Sequence, residues 1–141
     1  MADERKSFAV LLVTPEGPAY EGLAKMVVVP GAAGEIGVLA RHAPLVAMLR
    51  AGSTRVHVDE GNVIEFATGA GFFKVEQDRA LALVDDAVDA REIDTVRAQQ
   101  QLEEAKADLE RVEAGESDAD RWQLEQRIRH AENQLAVAGR P

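Results

Sequence analysis

The chain has 141 residues, enough for one ordinary domain or for a small domain with an appendage. Its formal net charge of -9 argues against nucleic acid as a partner, because binding a phosphate backbone needs clustered Lys and Arg. It has no cysteine, which excludes a disulfide framework and a thiolate metal site.

The apolar fraction is 46% and aromatic residues make up only 4%, so the core is expected to be aliphatic. No apolar run approaches the roughly 20 residues that span a bilayer. The start, MADERKSFAV, is too acidic and too short in apolar residues for a secretion signal. The composition is that expected of a soluble protein in a reducing compartment.

The first half reads as short strands. SFAVLLV (7–13) and AKMVVVP (24–30) are aliphatic and β-branched. Ile36, Val38 and Leu39 follow a glycine run and look like a third strand. PLVAML (44–49) and GSTRVHV (52–58) are parted by Ala51-Gly52. Asp59-Glu60-Gly61-Asn62 then turns the chain into NVIEFA, which predicts a hairpin. GFFKVEQ (71–77) and RALALVD (79–85) complete the series. Short strands at intervals of about 8 to 12 residues predict an antiparallel sandwich or barrel. Val56 and Val58 alternate with Arg55 and His57, which places one face inward and one in water.

The period changes near Asp85 to Asp89, and glycine and proline then vanish until Gly115. Asp89 and Glu92 form a D-x-x-E pair that predicts a helix start. Apolar residues recur at Ala98, Leu102, Ala105, Leu109 and Val112, with Gly115 as the stop. Ser117 and Asp120 make a second capping pair. The next seam is Leu124, Ile128, Ala131, Leu135 and Ala138. The expected organisation is a sandwich over residues 1–86 and an antiparallel two-helix hairpin over 87–141. Each seam is rich in alanine, so the hairpin must lean on the sheet, on another protein, or on each alternately, to offset about 1 to 2 kcal/mol of backbone entropy per residue.

Residues 30–45, PGAAGEIGVLARHAPL, hold the glycines Gly31, Gly34 and Gly37. The run lacks the G-K-[ST] ending of a phosphate loop and the G-x-G-x-x-G spacing, and no helix follows it. The glycines are expected to permit tight turns at positive φ. Glu35, Arg41 and His42 beside Pro44 look like an interface. His42, His57 and His130 lie in separate segments without metal-ligand spacing. There is no G-x-S-x-G elbow, Asp85-Asp86 reads as a linker feature, and no catalytic constellation emerges. Asp94 and Arg97, three apart, share a helix face. They fit either a surface ion pair or a phosphate-seeking arginine beside a carboxylate.

These residues resemble one family. Gly34 to Leu45, G-E-I-G-V-L-x-x-H-A-P-L, and the element Ile93-Asp94-x-x-Arg97-Ala98 are similar to the two recognisable motifs of the epsilon subunit of bacterial F-type ATP synthase. The order of strands and hairpin agrees over about residues 7–138. The resemblance implies an α+β fold, with a sandwich of ten strands followed by two antiparallel helices. It implies a non-catalytic rotor subunit of the central stalk, at the cytoplasmic face of the inner membrane and without a membrane span of its own. The sandwich would bind the gamma subunit and the c-ring, with Gly34, Glu35, Arg41 and His42 at the docking surface. The hairpin would act as a brake by extending along gamma toward the alpha and beta subunits of the catalytic head. No cofactor is implied beyond a regulatory ATP, for which Ile93, Asp94, Arg97 and Ala98 match the family element. Arg127, on the expected second helix, is a further candidate phosphate partner outside that element. Many family members carry Pro-Gly just before the histidine; here Ala40-Arg41 removes that turn pair and adds a charge. The reading from a different class is a free-standing nucleotide sensor whose hairpin folds over ATP.

Overall fold

The computed structural model describes residues 5–139. Residues 1–4 of the amino-terminal stretch and 140–141 of the expected hairpin half lie outside it. Ten strands come first: β1 (Phe8–Thr14), β2 (Gly17–Ala24), β3 (Met26–Gly31), β4 (Gly34–Leu39), β5 (Leu45–Leu49), β6 (Gly52–Asp59), β7 (Asn62–Thr68), β8 (Gly71–Glu76), β9 (Arg79–Val84) and β10 (Ala87–Asp89). Helices α1 (Thr95–Glu113) and α2 (Arg121–Ala138) follow.

The strands hydrogen-bond in the order β10-β7-β6-β3-β5-β8-β9-β1-β2, with β4 paired to β3 alone. The ladder folds into two layers at β3. Its first half pairs with β6, and its last residue, Gly31, pairs with Leu49 of β5. A Cβ at Gly31 would lie 2.7 Å from the carbonyl oxygen of Gly34 and 2.8 Å from the Ile36 side chain, so only glycine allows the strand to change partners here. Inward-facing Val10, Leu12, Val27, Val29, Val38, Val56, Phe73 and Val75 fill the core between the layers. The core is mostly aliphatic, as the composition predicts, with Phe8, Phe66 and Phe73 within it.

Three features differ from the sequence expectation. The pair β1–β9 is parallel, the other pairs being antiparallel. β2 was not among the expected strands, because Gly17, Pro18 and Gly22 weaken its strand signal; as the last strand of the ladder it tolerates a proline. β10, only three residues long, pairs with β7 at the other end and carries no period of its own.

The helices also start later than the capping pairs suggest. Asp89 caps a 3-10 turn, Ala90–Glu92, by accepting from the Arg91 N–H, while Ile93 stays extended. The cap of α1 is Asp94, which accepts from the Arg97 N–H at 3.0 Å. The cap of α2 is Asp120, which accepts from Trp122 N–H at 2.9 Å, whereas Ser117 Oγ bonds Ala119 N–H in the link. Gly115 stops α1 as expected. With φ at 77° it lets its own N–H reach the Val112 carbonyl and that of Glu116 the Arg111 carbonyl, a Schellman motif. Ala98, Leu102 and Ala105 of the first seam and Leu124 and Ala131 of the second are buried.

Candidate functional site

The Gly34 to Leu45 loop begins on β4. Ile36 and Val38 point toward the core, and Glu35, Gly37 and Leu39 lie exposed on the opposite face. Glu35 is gripped by Arg55 of β6, with guanidinium–carboxylate distances of 3.2 and 3.4 Å. A charge-assisted two-nitrogen contact of this kind fixes direction more than it adds stability at an exposed site. Of the three glycines, Gly34 has a positive φ, 141°, next to the Ala32-Ala33 turn, and Gly31 serves close packing.

The chain leaves β4 through a tight turn, in which His42 N–H donates to the Leu39 carbonyl at 3.2 Å. The turn is kept without Pro-Gly: Arg41 takes the positive φ, 65°, that glycine would supply at no cost. Its N–H donates to the carboxylate of Asp78, in the β8–β9 turn. His42 is exposed, and its Nδ1 lies 2.6 Å from the Ala43 carbonyl. Glu35 and His42 therefore stand at the two ends of β4 and do not touch.

Beyond Pro44 the loop runs into β5 and onto a feature that the sequence reading missed. Met48, Phe72, Leu83 and Val13 stand in register across β5, β8, β9 and β1. They line the outer side of the second layer. Val46, Leu81, Leu11 and Leu23 extend the same face, with Lys74 in register between Val46 and Leu81 and ion-paired to Glu76. Met48 is 64% exposed, Val46 62%, Leu23 62% and Leu83 44%, values that a lone surface residue shows but a row of them seldom does. The signal was there: LVAML and RALALV are apolar at both parities, as strands covered on both faces are.

The hairpin lies on the other layer. α2 contacts β6, β7 and the 3-10 turn. Asn133 donates to the carbonyls of Thr68 at 3.0 Å and Gly52 at 3.2 Å, and His130 Nε2 lies 3.2 Å from Asp85. A cleft of about 250 Å³ between helix start and strand is lined by Ile93, Asp94, Arg97, Ala98, Gln101 and Gln134, among others. Arg127 lines a neighbouring cavity of about 430 Å³ with Asp86, Glu104, Asp108 and His130, and Gln101 and Gln134 border both. The Asp94 carboxylate serves the Arg97 backbone rather than its guanidinium. Burial raises the Asp86 carboxyl above its ordinary range, against the pull of nearby His130 and a hydrogen bond from Gln134. Among the described residues no group of acids and histidines is placed to hold a metal, and no helix is long and apolar enough to cross a membrane.

A β-sandwich that carries an antiparallel helical hairpin at its carboxyl end is the class of protein that these elements define. A family model described as ATP synthase, Delta/Epsilon chain, beta-sandwich domain matches residues 7–90. An ATP synthase epsilon chain of Ligilactobacillus salivarius is 33% identical over 137 residues, 96% of this chain and 98% of the relative. One from Halalkalibacterium halodurans is 38% identical over 132 residues, covering 93% and 96%. A chain in a solved Euglena gracilis mitochondrial ATP synthase, containing its F1 and c-ring, shares the fold with a TM-score of 0.72 at 24% identity, covering 93% of this chain and 81% of that one. The chain belongs to the ATP synthase delta/epsilon family, the family to which its loop and its Ile93 to Ala98 element point.

Proposed function

We propose that the chain is a non-catalytic central-stalk subunit of a proton-translocating F-type ATP synthase. It joins gamma to the c-ring at the cytoplasmic face of the bacterial inner membrane and is held there through the complex. Epsilon-chain relatives that align along nearly the whole length support this reading. The observation that carries it is the uncovered apolar face of Val46, Met48, Leu83 and Leu23, continuous through Pro44 with the loop of His42. Burying one such side chain fully is worth about 1.5 to 3 kcal/mol, so four of them anchor a permanent partner. Gamma occupies this face, and Glu35, Arg41 and His42 meet the c-ring.

The hairpin on the opposite layer is free to act separately, as a brake on ATP hydrolysis. Its alanine-rich seams and few polar ties to the sandwich suit an element with two arrangements a few kcal/mol apart.

The test is co-purification of the full chain with gamma. Met48→Glu together with Leu83→Glu is expected to abolish the complex while the free chain keeps its melting temperature. Unchanged binding by that double variant would remove gamma from this face, and a wild-type chain that binds no gamma would favour a free-standing nucleotide sensor.

A further inference from the structure

The β8–β9 hairpin turns on two residues, Gln77 and Asp78, both at positive φ, 50° and 57°. Two such residues make a type I′ turn, which glycine or asparagine ordinarily fills. A non-glycine pair in this conformation carries strain that persists only where the surroundings hold it. The surroundings here are two other segments. The Asp78 carbonyl accepts from Ala9 N–H of β1 at 3.1 Å, and its carboxylate accepts from Arg41 N–H in the loop of His42. Arg41 is itself at positive φ without being glycine. Three strained residues thus meet at one end of the sandwich, tied by one carboxylate.

We propose that Asp78 is the positioning residue of the docking loop: by holding the Arg41 N–H it keeps the Leu39 to His42 turn closed and His42 in a fixed presentation. It does for Ala40-Arg41 what a glycine would do through its own backbone freedom. The proposal rests on the reading of this loop as the c-ring contact. Asp78 acts from outside the loop, 37 residues along the chain. Without the acceptor, the Arg41 N–H returns to water and the turn opens to extended conformations that suit arginine better.

The experiment compares full-length chains carrying Asp78→Gly, Asp78→Asn, Arg41→Gly, and Asp78→Gly with Arg41→Gly. Glycine at 78 keeps the turn and removes the carboxylate, whereas asparagine keeps an acceptor and tolerates positive φ. Two readouts are taken: the amide resonance and hydrogen exchange of Arg41 and His42, and rebinding to membranes that retain the c-ring and gamma but lack this subunit. Asp78→Gly is expected to shift the Arg41 amide upfield, speed its exchange about tenfold, and weaken rebinding. Asp78→Asn should stay near wild type. Arg41→Gly alone sets the baseline, because it also takes the Arg41 side chain from the docking surface; adding Asp78→Gly to it should weaken rebinding no further, a lack of additivity that a general loss of stability would not give. Unchanged Arg41 exchange in Asp78→Gly, or a further loss of rebinding in the double variant, overturns the proposal. A loosened loop with unchanged rebinding would instead uphold the positioning and overturn the docking reading.

Discussion

Asn133 of α2 donates its side-chain amide to both ends of one cross-strand pair, the carbonyls of Thr68 (3.0 Å) and Gly52 (3.2 Å), which face each other across β6 and β7. This polar tie joins the hairpin to two strands of the sandwich at once. With Asn133→Ala the two half-buried carbonyls lose that donor, at about 1 to 3 kcal/mol. The docked hairpin should then become about 5- to 150-fold less favoured relative to a released one. Hydrogen exchange is expected to quicken across α1 and α2 and to stay slow in β1, β8 and β9. Equal protection of the helices in wild type and variant would mean that the apolar seam alone sets the docking.

Protonation of Asp86 should stabilise the folded chain. Burial raises its carboxyl above the ordinary 3.8; Asp85 and Glu16 add to the rise, and His130 and Gln134 of α2 oppose it. A raised carboxyl means that the charged form is disfavoured in the folded chain. Stability is therefore weakest above the raised value and gains as pH falls through it toward 3.8. Asp86→Asn is expected to raise the melting temperature of the full chain at pH 7 and to flatten its dependence on pH in that window. A lower melting temperature in the variant would show that the charge of Asp86 holds the hairpin through His130.

The sandwich should fold without the hairpin. Its core cluster draws on strands between Phe8 and Val84, with Ala87 packed at the margin. A chain ending at Asp86 loses β10 and bares the edge of β7, whereas one ending at Glu92 keeps the pairs Ala87–Thr68, Val88–Ala67 and Asp89–Phe66. Both should show strand-type circular dichroism, with the longer chain melting about 5 °C higher. A chain ending at Glu92 that gives no cooperative transition would make the helices part of one folding unit.

ATP is expected to bind in the cleft of Ile93, Asp94, Arg97 and Ala98, and weakly. Arg127 approaches from the adjoining cavity, but Asp86, Glu104 and Asp108 line that cavity and repel a polyphosphate. Calorimetry should find saturable binding that Arg97→Ala removes and that Glu104→Gln with Asp108→Gln tightens several-fold. Binding untouched by Arg97→Ala would place the nucleotide elsewhere.

Much of this protein is written in its periods. Alternation in β6 and the aliphatic runs of β1, β3 and β5 mark strands, because a pleated chain presents alternate residues to opposite sides. The 4-and-3 spacing marks both helices, and Gly115 their junction. The Gly34 to Leu45 loop and the Ile93 to Ala98 element are equally local and can be read without a structure. Tertiary structure decided the rest. Which side of LVAML is core and which is left uncovered depends on what lies across β8 and β9: Leu49 and Met48 are neighbours in sequence, yet one is 4% and the other 64% exposed. Asp78 reaches Arg41, and Asn133 reaches Thr68, across 37 and 65 residues. Edge strands β2 and β10, and the choice of Asp94 over Asp89 as the α1 cap, follow from which backbone groups already had partners. Period is a property of a segment, but hydrogen-bond satisfaction and burial are properties of the whole packed chain, and only folding assigns them.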